Sequence, residues 1–238
     1  MESKRCLTGI KFFVFDFDGV LVDSTKLCIE RFNIILGRLG LPSVSSELLR
    51  KNRGMKLVDL IDFICLEVGA TDEQKKLFQT MDSEVNAQMP YQLKREIMEA
   101  LLNLRLFNCY VGLITSRTNE SFMTIAAKVG LSLKIFHQIQ TADHFNHHKP
   151  DGRVFNPFIN WAKAYGVSPE EMVYIGDTVD ADFAATQDRN PKLEFIGVVS
   201  GANTREEFLE AGVPPCRIVD FDKLPDFLHH VISEKAEA

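Results

Sequence analysis

Short apolar runs, rich in aromatic and β-branched residues, recur along the chain. The first, at residues 10–15, is apolar at nearly every position, which is typical of a strand covered on both faces of a sheet. Further candidate strands lie at residues 109–115, 137–141, 172–176, 194–199 and 217–219. The pattern predicts a sheet whose strands are largely buried.

Segments with helical periodicity separate these candidate strands. Residues 94–107 carry an apolar side formed by Ile97, Leu101, Leu104 and Leu106. The same periodicity predicts helices at residues 119–129, 156–165, 180–187, 204–211 and 224–231. Strands that alternate regularly with helices form βαβ units with right-handed crossovers. The sequence therefore predicts the α/β class with a parallel sheet.

One segment, residues 25–89, breaks this alternation because no convincing buried strand occurs in it. It contains four amphipathic patterns, at residues 27–39, 46–51, 57–68 and 73–87. The chain has 238 residues, more than a typical domain of about 150. We therefore predict an α/β core formed by residues 1–24 and 90–238, with an all-helical cap inserted at residues 25–89.

Composition and charge limit the possible partners. The chain is 45% hydrophobic and carries a formal net charge of −6, whereas nucleic-acid binders are usually basic. No apolar run has the length of a membrane span, and the amino terminus has no apolar segment typical of a secretory signal. The five cysteines have no paired spacing, which predicts reduced thiols. We expect a cytoplasmic protein that binds neither nucleic acid nor a membrane.

Chemically active residue types follow the predicted strands. In open parallel sheets, ligands bind at the carboxyl ends of the strands, so these residues are expected to converge. They are Asp16 and Asp18 after the first strand, Thr115, Ser116 and Arg117 after the second, Lys149 in a later loop, and Asp177 with Asp180 and Asp182 after the fourth. The edge of the sheet would thus combine carboxylates, hydroxyls and cations.

This combination suits phosphoryl transfer. Asp16 and Asp18, two residues apart, face the same side of an extended segment, and crowded carboxylates favour a hard divalent cation such as Mg²⁺. Lys149 adds positive charge for a phosphoryl group, and a hydroxyl can donate to a phosphate oxygen. One carboxylate can act as a nucleophile and its neighbour as a general acid and base. The residues therefore predict a two-step phosphoryl transfer.

Four segments in this order resemble the haloacid-dehalogenase-like (HAD) hydrolase superfamily. They are Asp16-Phe17-Asp18-Gly19-Val20-Leu21-Val22-Asp23-Ser24, Leu113-Ile114-Thr115-Ser116, Lys149-Pro150-Asp151 and Gly176-Asp177-Thr178-Val179-Asp180-Ala181-Asp182. The resemblance implies a Rossmann-like core of three layers with an inserted helical cap. A softer similarity of residues 197–207 points to the phosphoglycolate-phosphatase-like branch.

The resemblance also implies roles for individual residues. Asp16 is similar to the nucleophile and Asp18 to the general acid and base, and both would contribute to an Mg²⁺ site, Asp18 through its backbone carbonyl. Asp177 resembles the metal-binding acid, Lys149 the stabilising lysine and Thr115 the phosphate-binding hydroxyl.

Several assignments stay open in the sequence. The acid that supports the metal is either Asp180 or Asp182, and the register of the apolar run favours Thr115 over Ser116 as the phosphate-binding residue. Three cationic residues are candidates for substrate binding, Arg53 and Lys56 in a turn of the predicted cap and Arg117 beside the pocket.

The expected function is a Mg²⁺-dependent phosphatase that hydrolyses a small phosphorylated metabolite through an aspartyl-phosphate intermediate. A phosphohexomutase or a phosphonate-cleaving relative is an alternative, but a mutase of this branch usually carries a His in the stretch that here is residues 24–28. A non-catalytic phospho-aspartate signalling module is an alternative of another class. The oligomeric state, monomer or dimer, is left open by the sequence.

Overall fold

The computed structural model describes residues 7, 9–52, 55, 57–144, 146–189 and 191–236, and side chains up to residue 233. A parallel sheet of six strands forms its centre. The strands are β1 (Phe12–Asp16), β2 (Tyr110–Ile114), β3 (Gln138–Gln140), β4 (Met172–Gly176), β5 (Glu194–Val199) and β6 (Ile218–Asp220). Their order in the sheet is β3-β2-β1-β4-β5-β6.

β1 lies in the middle of the sheet, with Phe12 aligned with Tyr110 of β2 and with Met172 of β4. Side chains alternate along a strand, so its two faces enter different apolar clusters. Phe13 and Phe15 belong to one cluster, whereas Phe12 and Val14 belong to the other. Both faces of the central strand are therefore covered, as the unbroken apolar run predicts.

Helices of the α/β part lie on both sides of the sheet. They are α5 (Arg95–Leu106), α6 (Asn119–Lys128), α7 (Asn156–Ala164), α8 (Ala184–Gln187), α9 (Arg205–Glu210) and α10 (Leu224–Ala236). Buried residues of α5, α6 and α10 join the cluster of Phe13, and those of α7, α8 and α9 join the cluster of Phe12. This arrangement confirms the predicted α/β class with a parallel sheet between two helical layers.

The described residues of segment 25–88 form four helices between β1 and α5, as the four amphipathic patterns predict. They are α1 (Thr25–Arg38), α2 (Ser46–Lys51), α3 (Leu57–Glu67) and α4 (Asp72–Gln88). α1 packs on α4 through Phe32 and Phe78, whose ring centroids are 5.2 Å apart. The N-terminus of α4 is fixed by a capping box, in which the Thr71 hydroxyl accepts from the N–H of Gln74.

Two local features differ from the sequence expectation. The helix predicted at residues 180–187 begins as a π-helical turn, Val179–Phe183, and only then continues as α8. The prediction of reduced thiols is wrong for Cys216, which is disulfide-bonded. Cys28, Cys65 and Cys109 are free thiols, and Cys6 lies outside the described residues.

None of the described helices combines the length and the apolar character that crossing a membrane requires.

Candidate active site

The residues that follow β1, β2 and β4 meet in one cavity of about 160 Å³ at the carboxyl edge of the sheet. The α/β part lines the cavity with the end of β1 and with the loops that follow the strands, through Asp16, Asp18, Ser116, Arg117, Thr118, Lys149 and Asp177. The helical segment contributes further lining residues, including Cys28, Arg31, Leu57 and Leu60. The convergence predicted from the order of the strands is therefore present.

Asp16, the last residue of β1, is buried and lines this cavity. Its Oδ1 accepts from the backbone N–H of Phe17 at 2.7 Å, and its Oδ2 lies 3.1 Å from Nζ of Lys149. Burial raises the pKa of the Asp16 carboxyl well above its usual range, and Lys149 acts in the opposite direction. Burial thus opposes ionisation of this carboxyl group, whereas the charge of Lys149 favours it.

Lys149 is held by two further groups. Its Nζ donates to Oδ1 of Asp182 at 2.6 Å and to the hydroxyl of Tyr174 at 3.0 Å. Burial acts to lower the pKa of Lys149, but the carboxylates of Asp16 and Asp182 outweigh it and hold the pKa above its ordinary value. The ammonium group of Lys149 therefore stays protonated although it is buried.

Asp182 is fully buried and its carboxylate is surrounded by donors. Its Oδ2 accepts from the backbone N–H groups of Asp177 and Thr178, both at 3.0 Å, and from the Thr178 hydroxyl at 2.7 Å. The π-helical turn brings the side chain back under the end of β4. Asp180, in contrast, is exposed. Of the two acids left open by the sequence, the structure brings only Asp182 into the acidic cluster.

The acidic cluster fits a hard divalent cation. Carboxylate oxygens of Asp16, Asp177 and Asp182 lie within 4.8 Å of one another, and the Ser200 hydroxyl donates to Oδ2 of Asp177 at 2.8 Å. Oxygen donors at this spacing suit Mg²⁺. Both carboxylate oxygens of Asp182 already accept hydrogen bonds from neighbouring groups. The side chains best placed to hold a divalent cation are therefore those of Asp16 and Asp177.

Gly19 permits this cluster to form. Its φ is 75°, in the left-handed region, and a Cβ atom there would lie 1.9 Å from Oδ2 of Asp177. The loop after β1 can approach the loop after β4 only because this position has no side chain.

Arg117 binds a carboxylate of the site itself. Its Nε and Nη2 donate to the two oxygens of Asp18 at 2.7 and 2.8 Å, a bidentate pair. The pair differs from the expectation that Arg117 faces substrate, although both residues line the cavity.

The remaining candidate site residues are the two hydroxyl residues after β2 and the two cationic residues of the helical segment. Thr115 is buried, and its hydroxyl accepts from the N–H of Arg117 at 3.2 Å, whereas Ser116 lines the cavity. The choice between these two hydroxyls stays a prediction. Arg53 and Lys56 lie outside the described residues.

Sequence reasoning missed Tyr174 and Ser200. Tyr174 lies within the apolar run of β4, where its hydroxyl donates to Oδ1 of Asp182 at 3.0 Å. A tyrosine in a strand that is buried on both faces needs a polar partner for its hydroxyl. Tyr174 lies two residues before Gly176, where β4 ends, and this position was the signal that its hydroxyl is near the acidic residues after the strand.

The family of this chain follows from a direct comparison. A family model described as haloacid dehalogenase-like hydrolase matches residues 13–198, well over half of the chain. The chain therefore belongs to the haloacid dehalogenase-like hydrolase family, as its four segments predict.

Curated relatives of the chain are phosphatases. It is 29% identical to a glyceraldehyde 3-phosphate phosphatase of Methanopyrus kandleri over 188 residues, which are 73% of this chain and 78% of the relative. It is 24% identical to a phosphoglycolate phosphatase of Photorhabdus laumondii over 228 residues, 93% of this chain and 94% of the relative. The predicted enzyme class, a HAD-type hydrolase, is confirmed.

A solved structure supports the same architecture. The crystal structure of a predicted phosphoglycolate phosphatase from Haemophilus somnus matches with a TM-score of 0.73 at 21% identity, covering 92% of this chain and 98% of that chain. At this identity the likeness bears on the fold alone, and it confirms the predicted fold class.

Proposed function

We propose that the protein is a Mg²⁺-dependent phosphatase that hydrolyses a small phosphomonoester through an aspartyl-phosphate on Asp16. The observation that carries the proposal is the Asp16 carboxylate at the end of β1, buried in a cavity beside Lys149 and the acidic cluster. The phosphatase relatives support the reaction, and those that act on phosphoglycolate or glyceraldehyde 3-phosphate support a small substrate.

The first step forms a bond between Oδ2 of Asp16 and phosphorus, and the bond between phosphorus and the ester oxygen breaks. The N–H of Phe17 holds Oδ1 and so directs Oδ2 toward the substrate. Lys149, 3.1 Å from Oδ2, offsets the negative charge of the incoming phosphoryl oxygens. Asp18 gives its proton to the departing alcohol oxygen.

The second step returns the enzyme to its starting state. A water oxygen bonds to phosphorus, Asp18 takes the proton of that water, and the bond between phosphorus and Asp16 breaks. Inorganic phosphate then leaves. One proton passes through Asp18 in each direction, so the cycle consumes only substrate and water.

Asp16, Asp177 and the backbone carbonyl of Asp18 would hold the Mg²⁺ ion. When bound, the ion neutralises phosphoryl oxygens and orients them for in-line transfer. Asp182 fixes the surrounding groups, because its carboxylate binds Lys149 and the backbone that follows β4.

The helical segment at residues 25–89 acts in this proposal as a cap domain over the α/β core. Its Cys28, Leu57 and Leu60 line the same cavity, and in this proposal they contact the leaving group. A cap in this place excludes water from the aspartyl-phosphate until the leaving group departs.

Phosphate release tests the proposal. The purified enzyme is given Mg²⁺ and a panel of phosphoglycolate, triose and sugar phosphates, nucleotides and pyrophosphate, and inorganic phosphate is measured. We expect release from at least one small ester, loss of release with EDTA and recovery when Mg²⁺ is added. Asp16→Asn should abolish turnover, while Asp226→Asn, an exposed acid on α10, should retain it.

Other outcomes would identify the alternatives. Substantial turnover by Asp16→Asn would overturn the mechanism. A long-lived phospho-aspartate without phosphate release would favour a signalling module, and an isomerised sugar phosphate in ³¹P NMR would favour a mutase.

A further inference from the structure

Arg117 and Asp18 form a bidentate ion pair in the cavity wall. Both carboxylate oxygens accept from one guanidinium group, at 2.7 and 2.8 Å, and the Arg117 side chain is only 12% exposed. The fork of a guanidinium is rigid and planar, so a bidentate pair fixes the plane of the carboxylate as well as its distance. A lysine in the same place would hold one oxygen but would leave the plane free.

The guanidinium of Arg117 is itself held from several directions. Its carbon lies 5.2 Å from the ring centroid of Tyr91 and 5.9 Å from that of Phe17. Its Nη1 donates to the Ser121 hydroxyl at 3.2 Å and to Oδ1 of Asn86 at 3.3 Å. Arg117 therefore has little freedom to rotate, and neither has the carboxylate attached to it.

Asn86 connects this pair to the helical segment. It lies in the last turn of α4, and its Oδ1 also accepts from the Tyr91 hydroxyl at 2.7 Å and from Nη1 of Arg31. Arg31 in turn pairs with the buried Asp82 through a 3.2 Å contact of its Nε. A continuous set of polar contacts thus runs from the predicted cap to Asp18.

Asp18 needs such support because of its place in the chain. It follows the end of β1, beyond the ladder that aligns Asp16 with Ile114, and its side chain is 25% exposed. General acid and base catalysis requires a carboxyl oxygen within hydrogen-bond reach of the leaving oxygen, and a misplacement of about 1 Å can cost about a hundredfold in rate.

We propose that Arg117 is a positioning residue, which fixes the orientation of the Asp18 carboxylate toward the leaving oxygen, and that Asn86 holds Arg117 from the helical segment. This inference rests on the proposed phosphatase function. The proton transfers are those of the two steps above: Asp18 protonates the ester oxygen as its bond to phosphorus breaks, and deprotonates water as the new bond forms. Arg117 neither gives nor takes a proton: when Asp18 is protonated, one of its oxygens carries the proton and the other still accepts from Arg117.

The test compares Arg117→Met with Arg117→Lys on the best alkyl phosphate of the substrate panel, in the presence of Mg²⁺. We expect Arg117→Met to lower kcat by about tenfold to a hundredfold, part of the roughly 10²–10⁴-fold that general acid and base catalysis supplies. KM should change by less than about threefold, because Arg117 is occupied by Asp18 rather than by substrate. Arg117→Lys should recover part of the lost kcat.

A second substrate separates positioning from a general loss of structure. The phenolate of p-nitrophenyl phosphate leaves without a proton, so its release in the first turnover should be nearly unchanged in Arg117→Met. Steady-state turnover should still fall, because attack by water needs the base. Arg205→Met removes an arginine that pairs with an aspartate at the surface and should behave as wild type.

Three results would overturn the inference. They are an unchanged kcat in Arg117→Met, a rise in KM without a fall in kcat, and equal losses in the first turnover for both substrates. If Arg117→Met does not fold, as shown by circular dichroism, Arg117→Lys decides by the same ratio of first-turnover rates. A wild-type enzyme that hydrolyses no ester would instead reject the proposed function, and this inference with it.

Discussion

Gly19 and Gly176 allow the acidic side chains to reach their observed positions. A Cβ on Gly19 would lie 1.9 Å from Oδ2 of Asp177, and one on Gly176 would lie 2.8 Å from Oδ2 of Asp182. Both distances are shorter than van der Waals contact, and neither carboxylate is the end of a long flexible chain. The absence of two methyl groups thus sets the spacing of the cluster.

Replacement of Gly19 by Ala should therefore disrupt the site beyond its cost to the backbone. Gly130, at the end of α6, offers a matched control, because its φ of 71° is nearly that of Gly19 and nothing lies within 4 Å of its Cβ position. Both variants should lose about 1 kcal/mol of unfolding free energy from the left-handed conformation. Only Gly19→Ala should also lose phosphatase activity, by more than about a hundredfold.

Urea unfolding and phosphate release measure these two effects. Equal activity in the two alanine variants would show that Asp177 can move away from residue 19 without consequence.

At the scale of single residues, the sequence predicted which side chains lie at the site better than it predicted their hydrogen-bond partners. The sequence could name Asp16, Asp18, Lys149 and Asp177 as candidates because each follows a predicted strand, and the structure places all four in the lining of one cavity. The pairing of Arg117 with Asp18 could not be predicted, because the direction of a long side chain depends on the rings and amides packed around it. Asp182 could be preferred to Asp180 only once the π-helical turn was known.

Where β3 begins, the side chain of His137 takes part in the hydrogen bonding of the neighbouring strand. Its Nδ1 accepts from the backbone N–H of Val111 at 3.0 Å, which requires a neutral ring nitrogen. Burial lowers the pKa of His137 below its ordinary value of 6.5, and Arg105, with Nη1 2.7 Å from Nε2, acts in the same direction. Burial and the charge of Arg105 therefore favour the uncharged form of His137 at this edge of the sheet.

This pKa shift predicts a pH dependence of stability. The folded chain binds a proton at His137 less tightly than the unfolded chain does, so the stabilisation is present above pH 6.5 and declines as the pH falls below that value. His137→Asn keeps a carbonyl acceptor but cannot titrate. Urea unfolding between pH 5 and 8 should show a smaller loss toward low pH in this variant than in wild type, and parallel curves would contradict the prediction.

The elements themselves were largely predictable. The helix expected at residues 94–107 is Arg95–Leu106, and that expected at 204–211 is Arg205–Glu210, because apolar periodicity and capping residues act locally. The candidate strands at residues 137–141 and 217–219 are present as the two shortest strands, β3 (Gln138–Gln140) and β6 (Ile218–Asp220). The π-helical turn was missed because it arises from the contacts of Asp182 with the end of β4, which no local pattern encodes.

For the molecule as a whole, the acidic cluster is both the proposed metal site and a source of electrostatic repulsion. Asp16 and Asp177 are buried close to Asp182, and the neighbouring acids raise the pKa of Asp16 further. Buried like charges destabilise a fold unless a cation is present. The proposed Mg²⁺ site and the stability of the chain are therefore linked.

Asp177→Asn should accordingly change the melting temperature in opposite ways under two conditions. In EDTA the variant should melt above wild type, because one buried charge is removed. In Mg²⁺ wild type should gain stability, by about 2.7 kcal/mol at a hundred times its Kd, and the variant should gain far less. Asp226→Asn makes the same change of charge at the surface and should follow wild type, so an equal response of all three proteins to Mg²⁺ would reject the linkage.

The central position of β1 has a consequence for how the enzyme is assembled. β1 precedes its neighbour β2 by 98 residues, as the pairing of Phe12 with Tyr110 shows, and the pairing with Met172 spans 160. Loops of this length are closed late relative to local helices such as α1–α4. Asp16, the proposed nucleophile, is thus synthesised early but reaches its place only when most of the chain has folded. A partly folded chain would therefore lack the proposed phosphoryl-transfer site.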